Sequence, residues 1–434
     1  MLTVDFNDLV ATIWPVLLWS AGFIGVFFCL YSRRILSIFD PLVVLAVAQA
    51  AYCVMAVALI HSPLLLIQFF ASQAALVVGF LLVPTPRLRA GQMVWTNRDI
   101  RIAEYTVFLL FLLILFANIW LGTVTGFPAL SNDPSSSKVS VYAGGLGLVR
   151  RINSGVGIFV PAGALLLAIR GKHKAIFGMV FGVCAILATL SGSKGALLIF
   201  LQIIGYVVYR RDLISNRVTK RLQFISIVFV VASVFLGVAV LYVVTQDWSL
   251  ATGGFLRRIL LQGDVIIYYY DPRVFPHFAS LGPLDYVYML LNPVLGAVRL
   301  VPYQFPLGFQ MVTYYLGNPY ASEFAFGPNT PFFVVGHAYF GSFFGVIYCG
   351  AVGYLVARLR SLFLEAQNVS PLRLIWLLAL AVLVYSLPVE VNLFTSPLMD
   401  MSVMVLVAVM AAHSFLFILK SAPREMELLS KNSV

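Results

Sequence analysis

The chain has 434 residues, of which 61% are hydrophobic and only 10% are charged, whereas soluble domains are about 45–50% apolar and about 25% charged. This composition excludes an ordinary soluble protein, because a water-soluble core of this size could not bury so much apolar surface. The net charge of +11 does not indicate nucleic-acid binding, since the basic residues lie in short segments between hydrophobic blocks.

The apolar residues form long blocks of a length that crosses about 30 Å of hydrocarbon, without the short alternating segments of a β-barrel. Helices are therefore the expected spanning elements. We predict an all-α polytopic transmembrane bundle that forms a single domain over residues 1–434. Eleven spans are expected, within a range of ten to twelve, because four blocks are short and one of them could be re-entrant. The spans are 11–31, 41–60, 64–83, 103–121, 156–169, 175–190, 195–209, 224–244, 331–356, 374–387 and 401–419.

The distribution of lysine and arginine predicts the orientation of the spans. With the N-terminus outside, 20 of the 28 basic residues fall in cytoplasmic loops and eight fall outside, as expected for membrane proteins. The C-terminus is then cytoplasmic. The first block is expected to be a retained span, since Asp5 and Asp8 precede it in place of the basic residues of a signal peptide.

Two long segments are predicted outside the membrane, at 122–155 and 246–330. The second has about 85 residues, and loops of that length are usually functional. Candidate functional residues are therefore expected mainly on this side.

One candidate is Lys194, in the turn 191–195 between two apolar stretches of about 15 residues. Each stretch would be about 22 Å long as a helix, so the turn is expected below the outer membrane face. Lys194 would then lie at the floor of an outward cavity and bind a phosphate. Alternatively, the turn is a tight helical hairpin whose lysine extends to the surface.

The large outer segment contains a candidate amphipathic helix. If the chain is helical here, Arg257, Asp264 and Asp271 recur every seven residues and lie on one face. The adjacent Arg257 and Arg258 suit a pyrophosphate, because each guanidinium can donate to two oxygens. The alternative is an interfacial helix whose arginines contact lipid headgroups.

The segment 322–331 leads into a span that is expected to begin outside at Pro331, so that its positive helix end faces an outer cavity. His337 follows two turns later, and Gly341 and Gly345 are predicted on the same face. A histidine inside a span is a candidate general base or hydrogen-bond donor. Glu323 is an alternative base, and an interhelical hydrogen bond is the structural alternative for His337.

Further basic and aromatic residues complete the candidate set. Arg299 lies alone between apolar neighbours of the outer segment, and Arg151 precedes the fifth span against the orientation rule; each is a candidate anion ligand or a lipid contact. Tyrosines of this side could stack on sugar rings or belong to the interfacial aromatic belt. The tyrosines assigned to glycan binding are Tyr268, Tyr303, Tyr314 and Tyr339.

The layout resembles the Wzy-type polymerases of O-antigen and oligosaccharide repeat units. The shared features are ten or more spans, a dominant late outer loop, and a turn of the form Gly-Ser-basic-Gly at residues 192–195. A further feature is the stretch 329–332 that leads to residues 337–345. Zinc motifs, a dinucleotide fingerprint, a nucleophile elbow and a paired-aspartate cluster for a nucleotide sugar are absent from the sequence.

The resemblance implies a metal-independent glycosyltransferase of the bacterial inner membrane that needs no cofactor. Its donor would be an oligosaccharide on undecaprenyl pyrophosphate, and its acceptor the non-reducing end of another lipid-linked repeat unit. Arg257, Arg258, Lys194, Arg299 and Arg151 would hold the pyrophosphate, and His337, Asp264 or Glu323 would be the base. Membrane lipids and a chain-length regulator protein are the expected partners, and nucleic acid is not.

Two other functions are alternatives, and the O-antigen ligases share the same layout. An O-antigen ligase would transfer the same donor to lipid A core. A transporter of lipid-linked oligosaccharides would form no bond, and its fold typically contains matching halves with broken helices.

Overall fold

The computed structural model describes residues 13–37, 39–86, 95–131, 146–191, 196–210, 212–214, 216–260, 263–297, 299–302, 304–317 and 327–431. In the first half of the chain the α-helices are α1 (Ile13–Tyr31), α2 (Pro41–Leu59), α3 (Pro63–Leu82), α4 (Asn97–Val124), α5 (Gly147–Val156), α6 (Phe159–Arg170), α7 (Lys174–Leu190) and α8 (Ala196–Tyr209). The second half contains α9 (Asn216–Thr245), α10 (Trp248–Leu260), α11 (Val265–Tyr269), α12 (Phe275–Phe278), α13 (Pro283–Ala297), α14 (Leu307–Leu316), α15 (Phe332–Glu365), α16 (Pro371–Leu383) and α17 (Val391–Lys431). Two short 3-10 helices lie at Pro128–Leu130 and Val384–Ser386.

Across these described ranges all regular structure is helical, and seven helical segments are long and apolar enough to cross a membrane. Four shorter apolar helices accompany them, at Leu18–Tyr31, Lys174–Leu190, Leu197–Tyr209 and Pro371–Ser386. The predicted class, a helical membrane protein, is thereby confirmed. The eleven crossings stay a prediction.

The two long outer segments also contain helix. The first, 122–155, includes the end of α4 and most of α5, and α5 continues into α6 as one apolar segment, Gly147–Arg170. The apolar helical segment that contains the predicted fifth span, 156–169, therefore begins nine residues before it. The second segment, 246–330, contains α10 to α14.

The chain divides into two compact units. The first comprises Met1–Pro86, Val231–Ser361 and Leu383–Thr395, and the second comprises Arg87–Val230, Leu362–Val382 and Ser396–Val434.

In the first unit, glycines let helix backbones approach each other closely. A side chain on Gly79 would collide with the carbonyl of Gly350, and one on Gly353 with the carbonyl of Leu76. Small residues permit this kind of packing between membrane helices. The result is a tight contact between α3 and the second part of α15.

A buried ion pair joins the start of α2 to the second part of α15. Asp40 caps the N-terminus of α2 by accepting from the backbone N–H of Leu42, and its carboxylate also pairs with Arg360. Arg360 donates further to the carbonyl of Arg34. These bonds satisfy a charge that would otherwise be costly to bury.

In the second unit, charged side chains form hydrogen bonds with backbone groups at helix ends. Glu104 accepts from the backbone N–H groups of Lys172 and His173, at the start of α7, and lies 2.9 Å from the His173 ring. Arg210, which is 2% exposed, pairs with Asp212 and donates to the carbonyls of Phe363 and Ala366. A guanidinium at these carbonyls complements the negative end of α15.

The most consequential departure from regular helix lies inside α15, where Gly341 has φ 70° and ψ −171°. Only glycine adopts this conformation readily. The helix folds back at this point, because Gly345 packs against the backbone of Gly336 and the Cys349 thiol lies 3.6 Å from the Phe332 carbonyl. α15 is therefore a short helix, 332–340, followed by a longer one, 342–365.

Candidate functional site

Two of the candidate residues, Asp264 and Tyr268, lie at a five-residue helix, α11. It is preceded by Gly263, at which an added Cβ would lie 3.1 Å from the Met55 side chain and 3.4 Å from the Tyr52 backbone. Glycine therefore allows the chain to pass close to α2 before α11 begins. Asp264 stands at the N-terminal boundary of α11, and Tyr268 and Tyr269 form its end.

His337 lies in the first part of α15 and is only 5% exposed. Its Nδ1 is 2.6 Å from the hydroxyl of Tyr269, and its Nε2 is 3.3 Å from the hydroxyl of Ser342. The ring of Phe275 stacks on the imidazole with a centroid distance of 5.3 Å. The imidazole is thus held at both nitrogens and on one face.

The two hydroxyls determine what His337 can do. A neutral imidazole has one N–H donor and one acceptor nitrogen. When Nδ1–H donates to the Tyr269 oxygen, Nε2 is the acceptor and can take a proton from a hydroxyl in the position of Ser342. When Tyr269 donates to Nδ1, Nε2–H becomes a hydrogen-bond donor instead. Burial raises the pKa of the Tyr269 phenol, so this hydroxyl stays protonated and serves as an orienting group.

The break at Gly341 brings Ser342 to His337, because it reverses the chain between them. The sequence predicted a continuous helix with His337, Gly341 and Gly345 on one face. That prediction was wrong, since Gly345 packs on the backbone of Gly336. A Cβ added to Gly345 would lie only 3.0 Å from the backbone nitrogen of His337. His337 therefore lies near the tip of a helical hairpin.

Asp264 is the second titratable group of the site. It is half-buried, and burial raises the pKa of its carboxyl to about 6. Burial, and then the charge of Asp264, also raise the pKa of Tyr268. A carboxyl with a pKa near 6 suits proton transfer near neutral pH better than an ordinary aspartate does.

The predicted face that joins Arg257, Asp264 and Asp271 does not exist as one helix. α10, which contains Arg257 and Arg258, ends at Leu260, and α11 starts at Val265. α11 itself ends at Tyr269, and Asp271 lies in the following turn, where it pairs with Arg273. Gly263 and Pro272 interrupt the regular helix that a seven-residue repeat requires.

The remaining basic candidates have different positions. Arg299 is exposed and has a left-handed backbone with φ 59°. Arg151 belongs to the second unit, where it pairs with Asp400 at 3.0 Å. The expected anionic partner of Arg151 is thus present within the chain. Lys194, Glu323 and Tyr303 lie outside the described residues.

The tyrosines assigned to sugar binding differ in exposure. Tyr268 is half-buried and meets Tyr315 edge-on, and Tyr314 is 47% exposed and stacks on His277 with 4.5 Å between ring centroids. Tyr339 is 3% exposed and its hydroxyl contacts the Met289 sulfur at 3.3 Å. In this conformation Tyr339 serves packing.

The N-terminus of α15 is not an open anion site. The backbone N–H of Phe332 donates to the carbonyl of Pro388 at 3.1 Å, and Phe332, Phe333 and Val334 are fully buried. The expectation that this helix end faces an outer cavity is therefore not supported. It lies beside Cys349, well inside the second part of α15.

Tyr269, Ser342 and Phe275 were missed as partners of His337. Tyr269 is one of three consecutive tyrosines, and nothing in the local pattern distinguishes it from Tyr268 or Tyr270. Ser342 could have been found from the spacing, since a glycine before it allows the reversal that returns it to His337.

Among the side chains that the structure describes, no group of three or more His, Cys, Asp and Glu is placed to hold a metal ion. Comparison with known proteins found no matching protein-family model, no matching curated protein and no matching solved structure.

Proposed function

We propose that this chain is a Wzy-type polymerase of the bacterial inner membrane that joins oligosaccharide repeat units carried on undecaprenyl pyrophosphate. The observation that carries the proposal is that α11 holds Asp264 at one end and, at the other, Tyr269, whose hydroxyl is 2.6 Å from His337. One short helix in the predicted outer segment thus connects two candidate bases. Asp264 precedes this helix, and Tyr269 at its end contacts His337.

The position of His337 along α15 supports an outward-facing reaction. From Ser342 to Arg360 the helix rises about 27 Å, close to the thickness of the hydrocarbon core. Arg360 pairs with Asp40 in a region predicted to be cytoplasmic. His337 contacts Ser342 and so lies at the opposite end of the crossing. In our topology this is the periplasmic side of an eleven-span protein with its N-terminus outside.

The proposed reaction is a displacement at the anomeric carbon of the donor sugar. An acceptor hydroxyl oxygen forms the new glycosidic bond, and the bond from the anomeric carbon to the pyrophosphate oxygen breaks. The hydroxyl proton passes to His337 Nε2 or to the Asp264 carboxylate. Arg257, Arg258, Lys194 and Arg299 stabilise the charge that develops on the undecaprenyl pyrophosphate leaving group.

The test is reconstitution of the purified protein with undecaprenyl-pyrophosphate-linked repeat units from the host. Nucleotides are omitted, a chelator is present, and the products are read as a ladder on a glycan gel. A ladder of increasing length is expected, and it should shorten or vanish with Arg258→Ala and with Lys194→Ala. Arg33→Ala, an exposed arginine on the predicted cytoplasmic side, is the matched control.

Other outcomes contradict the proposal in distinct ways. Normal ladders from both Arg258→Ala and Lys194→Ala would remove the assigned pyrophosphate ligands. Intact lipid-linked units with no ladder would reject a polymerase. Addition of lipid A core as acceptor would then separate a ligase from a transporter.

A further inference from the structure

The second unit contains a cavity of about 500 Å³ that is separate from the proposed catalytic residues. Its charged lining consists of Arg170, Lys174 and Asp212. Its apolar lining consists of Ile169, Leu213, Ile214 and Val218. Small-molecule sites commonly fall between about 300 and 1,000 Å³, so the cavity can hold a ligand of moderate size.

The balance of charge in this cavity is positive. Asp212 is neutralised by Arg210, which binds its two carboxylate oxygens at 2.8 and 2.7 Å. Arg170 and Lys174 supply two positive charges. Arg170 is held over the ring of Trp95, with its guanidinium carbon 5.3 Å from the ring centroid. The cavity therefore favours an anion.

The ends of apolar helices place the cavity at the level of a membrane surface. The apolar segment Gly147–Arg170 ends at Arg170, α7 begins at Lys174, and the segment Val218–Val243 begins at Val218. Lipid headgroups lie at this level, with acyl chains directly beside them. A ligand here would meet basic side chains on one side and aliphatic side chains on the other.

We infer that this cavity binds the phosphate of an anionic phospholipid, with Arg170 and Lys174 contacting the headgroup and the aliphatic residues contacting the start of an acyl chain. Basic pockets between membrane helices bind anionic headgroups in this way. A free phosphate shares the anionic chemistry, but it does not use the apolar half of the lining. The site is independent of the proposed polymerase reaction.

The test measures lipid retention by native mass spectrometry of the full-length protein. Phosphatidylglycerol, phosphatidylcholine with the same acyl chains, and inorganic phosphate are titrated separately. Wild-type protein should retain phosphatidylglycerol at least about tenfold more strongly than phosphatidylcholine. The double variant Arg170→Gln, Lys174→Gln should lose this preference. The matched control Arg33→Gln, Arg373→Gln, which neutralises two exposed arginines elsewhere, should keep it.

A second variant keeps the test valid if the double variant does not fold, since Arg170 also stacks on Trp95. Lys174 is exposed, so Lys174→Glu should fold normally and abolish the preference by charge reversal. Equal binding of both phospholipids by the wild-type protein, or unchanged binding by Lys174→Glu, would overturn the inference. Binding of inorganic phosphate as strong as that of phosphatidylglycerol would show a phosphate site without lipid specificity and would also overturn it.

Discussion

At the scale of single residues, removal of the Tyr269 hydroxyl tests the role of His337. Tyr269→Phe keeps the ring and deletes the group 2.6 Å from Nδ1. Because the imidazole loses its orienting partner, we expect glycan formation to fall by about 10- to 100-fold. The cost in stability should be about 1 kcal/mol. Initial rates of ladder formation and the thermal unfolding midpoint measure the two effects.

The neighbouring tyrosine provides a matched control for this variant. In the described part of the chain the Tyr270 hydroxyl is buried and has no hydrogen-bond partner. Tyr270→Phe therefore deletes a hydroxyl without deleting a bond, and activity should change less than about twofold. Equal losses from both variants would mean that the effect is one of packing, and that Tyr269 does not position His337.

The raised pKa of the Asp264 carboxyl predicts that the stability of the protein falls as pH rises through part of the acidic range. Its pKa is about 6 in the folded protein and about 3.9 in an unfolded chain. Between these values the folded state binds more protons, so the free energy of unfolding decreases as pH rises from about 4 to about 6. Asp264→Asn mimics the protonated form and should flatten this part of the profile. Thermal unfolding across this pH range measures the change.

Asp271 provides a control, because the pKa of its carboxyl is shifted in the opposite direction. Its hydrogen bond with Arg273 lowers the pKa of Asp271, so any stability it adds is present above about pH 4 and is lost as pH falls through the depressed pKa. Asp271→Asn should leave the profile between about pH 4 and 6 intact. A profile that Asp264→Asn leaves unchanged would show that another group titrates.

At the scale of elements, the hairpin of α15 depends on Gly341. Alanine at φ 70° and ψ −171° should cost about 1–3 kcal/mol and should separate Ser342 from His337. Gly341→Ala is therefore expected to lower both the thermal unfolding midpoint and the activity. Gly350→Ala in the same element is the control, because its ideal Cβ would lie 3.6 Å from the Ala75 carbonyl, an ordinary contact.

The result for Gly350→Ala should be neutral or slightly stabilising, since alanine is favoured over glycine in helices by about 1 kcal/mol. A Gly341→Ala protein as stable as the wild type would mean that the reversal at this residue is not needed for the fold. Ser342 would then no longer mark the position of the acceptor hydroxyl.

The errors in the predicted site also arose at the scale of helices. The hydropathy of 331–356 predicted one long helix, and hydropathy does not register a single glycine that reverses the chain. Likewise, the seven-residue spacing of Arg257, Asp264 and Asp271 suggested one face, but Gly263 and Pro272 interrupt the helix. The pairing of Tyr269 with His337 joins residues 68 positions apart and leaves no mark in either local sequence.

At the scale of the whole molecule, the helical membrane class followed from composition, because long apolar blocks have few alternatives in lipid. Helix positions followed too: α2, for example, was predicted at 41–60 and is found at Pro41–Leu59. Charged caps such as Arg210 and Glu104 were not foreseen as partners of particular helix ends. Their roles depend on which loops meet after folding, and charge counts do not contain that information.

Orientation is the last property that the positive-inside pattern predicts, and cysteine labelling measures it. In a variant lacking Cys29, Cys53, Cys184 and Cys349, a new cysteine is placed at exposed Ser280 or exposed Gln367. Ser280→Cys should react with a membrane-impermeant maleimide in intact spheroplasts, and Gln367→Cys only after permeabilisation.

The two positions flank α15, whose first part, 332–340, is about 13 Å long and too short to cross. Opposite labelling therefore requires an odd number of crossings between the two positions, as expected when 342–365 crosses once. Labelling of both positions in intact spheroplasts would contradict that crossing, and the reverse pattern would place His337 on the cytoplasmic side and remove the proposed reaction from the periplasm.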